Sequence, residues 1–343
     1  MLFALLAVVR RRPVLRLGRT VLVNEAQPFV EALTRVPLDR VAAGTTGGTA
    51  RRLDADGMLF DQTGAAHRST RRAVAEDLGT AGVARLRPVW SAVLQRRLAP
   101  LADGGTVDLV DVVAEMTGAT TAALLGLSVD PHALSSAARA AAAAAARDHL
   151  PGLPRPGRAR RARTTAARLT ELVRAPDDPT GGAALLAVAS VNTTLAAVPR
   201  AVAWCADDRL WDRAADDLTR PLLVTELLRV TAASPLLPRV AAGPGTVGGA
   251  PVRRGDRLLL VARHAVGAHR ADPDCAAPAP AQLAQLVFGA GPHACPGAHL
   301  ARAQLTDVLA GLAPHRPVVV AARVDRRSAL PGWATLLIRA EPR

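Results

Sequence analysis

One cysteine in this chain has neighbours that set its chemistry. The run Phe288-Gly289-Ala290-Gly291-Pro292-His293-Ala294-Cys295-Pro296-Gly297 presents Cys295 on a glycine-punctuated loop, and a helix is expected from about Ala298. Glycines allow turns that a Cβ would obstruct, and a helix start directs free N–H groups and a positive dipole end toward the sulfur. Both favour thiolate over thiol, the form that ligates iron. Three other groupings could act with it. Glu226 and Arg229 are one helical turn apart, among Leu222, Leu223, Val224 and Val230, where they can pair. His67 and Arg71 share a helix face and suit two cationic donors reaching one carboxylate. In an apolar stretch, Ala189-Ser190-Val191-Asn192-Thr193-Thr194 sets an amide beside hydroxyls, groups that orient water and pass protons. Taken singly, each has a plainer reading: a structural thiol, a solvated surface pair, a basic helix, and hydroxyls bonded back to their own helix.

Together these residues resemble the cytochrome P-450 family. Its cysteine loop matches Phe288 to Gly297. The resemblance implies haem b, with Cys295 as the proximal iron ligand, Phe288, Gly289 and Gly297 shaping the loop, and His293 contacting a propionate. His67 and Arg71 match the family's propionate-binding H-x-x-x-R. Arg239, in Leu236-Leu237-Pro238-Arg239-Val240, matches another propionate arginine, so that Leu236 and Leu237 would face substrate. Glu226 and Arg229 resemble the E-x-x-R pair that is buried beneath the haem. Aligning Asp272-Pro273-Asp274 with the family puts Cys275 where its third, basic member stands, leaving that member missing or supplied by Arg270. On the long apolar segment, Ala189 is the small residue that leaves room for dioxygen, Ser190 replaces a glycine, Asn192 replaces the acid, and Thr193 keeps the hydroxyl. Val188, Val191 and Leu330 are expected to complete an apolar cavity with Leu236 and Leu237.

The activity implied is a haem-thiolate monooxygenase-type oxidation of an organic substrate, a secondary metabolite or other small molecule, or a peptide. A thiolate on haem iron pushes electron density that favours O–O cleavage. Electrons would come from a separate ferredoxin or flavodoxin, since no G-x-G-x-x-G lies on a strand-to-helix turn. The amide at Asn192 keeps two other readings open: peptide or aromatic coupling or cyclisation, and peroxide-driven oxidation. A degenerate, partner-binding relative is a third, against which Cys295, Glu226 and Arg229 argue.

The elements that must position these residues follow from periodicity and breakers. A hairpin is expected over residues 14–23, a capped helix from Asn24 to Thr34, and mostly helix from about His67 to residue 175, including an alanine-rich run. Pro151 to Gly157 breaks it before a basic helix from Arg158 to Arg174. Gly181 to Ala206 reads as a long helix, apolar on most faces, and so a core helix over a cofactor. Another helix is expected at 217–230, short strands from Val240 to Leu260, an irregular stretch from Ala271 to Gln285, a helix ending near Leu312, and strands at Val318–Val320 and Trp333–Ile338. The fold class is mainly α with small β-sheets, a cytochrome P-450 fold in a single domain over 1–343. It is shortened in the lid before His67 and between about 174 and 181.

Half the residues are hydrophobic, enough for a large core. The net charge of +14 is carried by arginine alone, with no tyrosine and four phenylalanines, the bias of a GC-rich bacterial genome. So few aromatics exclude stacking on nucleic-acid bases. The basic surface is either solvated or a docking face for an acidic electron-transfer protein. Cys205, Cys275 and Cys295 have neither metal-ligand nor disulfide spacing, which fits a reducing cytoplasm. The apolar Met1 to Val9 runs into Arg10-Arg11-Arg12-Pro13, short of the roughly 20 residues that span a membrane. It is expected to pack on the protein body.

Overall fold

The computed structural model describes residues 2–45, 47–48, 59–149, 156–174 and 182–341. The abbreviated lid segment and the gap expected between 174 and 181 fall largely outside them. The apolar start forms α1 (Leu2–Val9), and Leu6 closes against Leu22 and Val261, so it does pack on the body. The hairpin forms as β1 (Val14–Leu17) and β2 (Thr20–Val23), with Val14 opposite Val23. The next helix differs at its start. α2 is Ala26–Thr34 and its N-cap Glu25 makes no side-chain cap. Asn24 instead donates its amide to the carbonyls of Val9 and Arg12, so tertiary contacts overrule its cap preference.

The helical body runs through α3 (Gly64–Leu78), α4 (Thr80–Leu98), α5 (Leu109–Leu124), α6 (Pro131–His149) and α7 (Arg158–Leu172). A three-residue strand, β3 (Thr106–Asp108), interrupts the stretch that periodicity assigned to helix. Then comes α8, Gly182–Asp207, whose apolar residues surround the axis rather than forming one stripe. Such a helix lies within a core. It is long and apolar enough to cross a membrane, but two-thirds of its apolar window is buried inside the protein. Helices α5, α6 and α7 pack along it.

α9 (Trp211–Ala215), unexpected from the sequence, precedes α10 (Arg220–Thr231). Strands β4 (Leu237–Val240), β5 (Gly245–Val247), β6 (Ala250–Val252) and β7 (Arg257–Leu260) follow. β7 pairs parallel with β2 and antiparallel with β4, giving the sheet order β1-β2-β7-β4. After α11 (Ala262–Ala265) the chain is irregular apart from α12 (Ala281–Ala284) and 3₁₀ turns. α13 (Ala298–Leu312) starts just after Cys295 and packs on α4. β8 (Val318–Val324) and β9 (Trp333–Arg339) form a hairpin that β3 joins through β9. The result is mainly helical with small sheets. One apolar core lies among the helices and a second between the four-stranded sheet and α2.

Candidate active site

The cysteine loop is built by two left-handed glycines and one backbone bond. Gly289 (φ +79°) and Gly291 (φ +71°) turn the chain, and a Cβ on Gly291 would stand 2.9 Å from the Thr34 methyl of α2. Both positions require glycine. The Cys295 N–H donates to Phe288 O at 2.7 Å, closing the loop. Gly297 differs: its φ is −85° and it is the N-cap of α13, placing its N–H against the Cys295 sulfur.

Cys295 is exposed, opening on a concavity of about 340 Å³ shared with Arg71, Ala75, Leu78, His299 and Arg302. The protein crowded around that concavity nevertheless raises the thiol above its ordinary value. The Gly297 N–H and the Arg71 and Arg302 guanidiniums oppose the rise without cancelling it. This corrects the expectation of an unaided thiolate, because desolvation outweighs the helix start. Arg302 lies 4.7 Å from the Phe288 ring centroid and donates to Gln285 Oε1 at 2.6 Å.

The loop rests on a buried ion pair. Glu226 and Arg229 are 1% and 3% exposed, and Arg229 Nη2 donates to Glu226 Oε2 at 2.6 Å. Arg229 also donates to the carbonyls of Gly267, Ala271 and Asp272, while Glu226 accepts the N–H groups of Asp274 and Ala279. Those two backbone donors stand in for a third cationic member. Arg270 does not supply it: it is a surface residue 3.9 Å from Glu25.

On the other side of the loop, cations converge. His67, on α3, stacks at a 30° tilt against His293, ring centroids 3.9 Å apart. Arg71, one turn on, donates to Ala294 O. Burial lowers Arg239 to about 10 with Arg40 adding to it, and lowers His293 to about 3 with Arg40, His67, Arg239 and Arg71 all contributing. His67 is lowered by burial, then by Arg71, Arg40 and Arg68. The structure therefore brings all four expected residues together. It adds Arg40, itself lowered by burial, which no sequence motif marks. Among the described residues no carboxylate enters this cluster, and His67 Nε2 is buried without a partner.

On α8, Thr193 donates its hydroxyl to Ala189 O at 2.7 Å, the back-bonded arrangement. Asn192 commits its amide to Val188 O at 2.8 Å and Ala138 O at 3.3 Å, so it is tied to α6 rather than free to orient water. Ser190 accepts from Thr121 of α5. Val191 is fully buried in the helical core. Two residues on from Ala189, it lies across the helix axis from it and cannot share its outlook. Val188 is only partly buried. Leu236 packs with Leu6, Leu22 and Val261, and Leu237 against the sheet core, so both are partly committed to the N-terminal sheet. Leu330 lies in the β8–β9 turn, whose Gly332 abuts Leu195 and Ala196 of α8.

No protein-family model and no curated protein sequence matches this chain. Solved structures do. P450BioI in complex with a fatty-acid-ligated acyl carrier protein superposes with a TM-score of 0.78 at 16% identity, over 98% of this chain and 97% of that one. The open form of cytochrome P450 EryK from S. erythraea gives 0.77 at 23%, over 100% and 96%. Mycobacterium smegmatis CYP164A2 gives 0.75 at 22%, over 99% and 96%. The chain has the cytochrome P450 fold. The P450 fold implies haem, and the residues here fit that group. A half-buried set of guanidiniums and imidazoles with no acid of its own calls for an anionic partner, and haem propionates carry that charge beside a cysteine.

Proposed function

We propose that this protein is a haem-thiolate oxidoreductase that oxidises an organic substrate with O2 and electrons from a separate donor. The observation that supports it is the cation cluster of His67, Arg71, Arg239, His293 and Arg40, without a carboxylate, beside Cys295. In this reading Cys295 ligates the iron of haem b, the cluster anchors the propionates, and Phe288, Gly289 and Gly297 fix the loop. Glu226 and Arg229 hold the irregular segment beneath it. When bound, a haem with a thiolate ligand supplies the electron push for O–O cleavage. Thr193 then offers a hydroxyl above the site, next to the small Ala189, while Val188, Leu237 and Leu330 contribute apolar walls.

A ferredoxin- or flavodoxin-type donor would approach the concavity at Cys295, where Arg71 and Arg302 suit an acidic surface. Substrate would be a small molecule or peptide of secondary metabolism in a bacterial cytoplasm. A mutant of EryK has been solved with erythromycin B and P450BioI with a carrier-bound fatty acid, so presentation on a carrier belongs within this proposal. Asn192 favours a second reading. Lacking a carboxyl and tied to two carbonyls, it cannot give and regain a proton, which suits coupling, cyclisation or peroxide-driven oxidation.

The test is spectroscopic. Reduced protein under carbon monoxide should show the red-shifted Soret band of thiolate ligation, and Cys295→Ala should lose it. Protein that is colourless as purified and takes up no added haemin overturns the proposal.

A further inference from the structure

α7 carries Arg158, Arg160, Arg161, Arg163 and Arg168 against one acid, Glu171. At about 100° per residue, Ala166, Leu169 and the C-cap Val173 fall on one side, buried in the helical core. Arg160, Arg161, Arg163 and Arg168 fall on the other and are exposed. The helix itself gains nothing from these charges. Arg158, Arg160 and Arg161 crowd a first turn that has no acid, at the end whose dipole repels cations. Arg158 and Arg161, like Arg160 and Arg163, are three positions apart, where like charges are neighbours.

The fold sets more arginines beside them. Arg158 Nη1 donates to Arg147 O, near the end of α6, at 3.4 Å, and Arg147 donates Nη2 to Arg327 O in the β8–β9 turn. The exposed Arg326 and Arg327 thereby adjoin the start of α7. Asp325, the acid of that turn, is already engaged by Arg139 at 3.2 Å and by the N–H groups of Arg327 and Ser328. The arginines of α4 are matched instead: Arg85 meets Asp77 at 3.1 Å, Arg87 meets Asp307 at 2.6 Å, and Arg96 and Arg97 both meet Glu115. Among the described residues no ion pair involves Arg160, Arg161, Arg163, Arg168, Arg326 or Arg327.

We propose that this face of α7, with the β8–β9 turn, docks a small acidic protein, a carrier that holds the substrate. The exposed side chains among the arginines are Ala159, Thr164 and Ala167, so no aromatic or long apolar group is there to enter a lipid surface or stack on a base. What remains is a spread of guanidinium forks, which pair carboxylates through two parallel bonds. Arg160 to Arg168 spans about 12 Å along the axis, the scale of an acidic element of a protein rather than of one small anion. The face is separate from the concavity at Cys295, to which neither α7 nor the turn contributes. It does connect with the substrate wall: Ser328 Oγ donates to Leu330 O at 2.5 Å, and Gly332 abuts Leu195 and Ala196 of α8. That the partner brings substrate rests on the function proposed above, whereas the docking of an acidic protein does not.

The purified full chain is titrated with fluorescently labelled acyl carrier protein bearing a hexadecanoyl chain, followed by anisotropy, and with free hexadecanoate, followed by the Soret band. Carrier binding should weaken at least about tenfold in Arg160→Glu with Arg163→Glu, and again in Arg326→Glu with Arg327→Glu, because each reversal sets like charges together. It should fall by a similar factor between about 50 and about 300 mM salt. The α7 variant should keep its thermal midpoint, since an acid suits the start of a helix. Arg11→Glu with Arg12→Glu, exposed arginines beyond α1, should change carrier binding less than about twofold, and the response to free hexadecanoate should be the same in every variant. A carrier that does not bind the native protein, a loss in the Arg11 and Arg12 variant as large as in the α7 variant, or tighter binding of phosphatidylserine vesicles or duplex DNA than of the carrier overturns the proposal. Protein that takes up no haem yet keeps arginine-dependent carrier binding would defeat the enzyme reading and leave the docking face standing.

Discussion

Replacing Glu226 by glutamine keeps the shape of the side chain and removes its charge. The native carboxylate accepts Arg229 Nε on both oxygens at 3.0 and 3.1 Å, Arg229 Nη2 at 2.6 Å, and the N–H groups of Ala279 and Asp274 at 3.1 and 3.4 Å. An amide offers one oxygen to this ring of donors and turns its own NH2 against the rest. Arg229, 3% exposed, is left charged without a counter-ion. Breaking a buried pair from one side costs about 3–5 kcal/mol, whereas an exposed pair is worth about 0–1 kcal/mol. Burial therefore decides the expected size: Glu226→Gln should lose at least ~3 kcal/mol in urea unfolding followed by circular dichroism. Haem retention should fall in parallel, since the carbonyls and N–H groups released lie at residues 267–279, which lead into the cysteine loop. A loss below ~1 kcal/mol would refute the claim that this pair anchors the segment.

Arg71→Gln, Arg239→Gln and Arg40→Gln should each speed haem transfer to apomyoglobin, by roughly 10- to 100-fold for a charge-assisted bond of about 1.5–3 kcal/mol. Unchanged rates in all three would remove the propionate assignment. Asn192→Asp loses both N–H donors and sets a negative charge against the carbonyls of Val188 and Ala138. It should destabilise by ~1–3 kcal/mol in urea, more than Asn192→Ala does. His264 is held neutral, down to about 4 from 6.5 by burial and then by His269, with Nδ1 against Asn24 Oδ1. The unfolded chain binds that proton first, so stability present above pH 6.5 should drain away as pH falls toward 4, by about 3 kcal/mol in total at ~1.4 kcal/mol per unit. His264→Asn should flatten the slope in that window.

The cysteine loop, the E-x-x-R pair and α8 were legible in the sequence because their signals are local: glycines, a helical turn, an unbroken apolar run. What stayed hidden depends on distant chain. Arg40 has no motif and meets the cluster only because the fold returns it to His293. The groups completing the Glu226–Arg229 site are backbone N–H and C=O groups, which leave no mark on residue identity. Asn24 reads as a helix cap, but its amide is taken by the carbonyls of Val9, at the end of α1, and Arg12 beyond it. β3 is three residues whose partner, β9, lies more than two hundred positions on, so no window could reveal it. Val191 and Ala189 look equivalent in a row of small apolar residues, yet α-helical geometry sends them to opposite sides.

The segment from Ala271 to Gly297 contains one four-residue helix and two short 3₁₀ turns, and it is tethered at its base by a single ion pair and closed near its end by the Cys295–Phe288 bond. Chain with so few repeating backbone bonds exchanges its amides through an opening of its own, at a lower free energy than the helices around α8. A ligand that grips Cys295 only in the closed form adds its binding free energy to that opening and to every larger one that releases it. In a cell short of haem, proteolysis would begin there while the helical core remained intact.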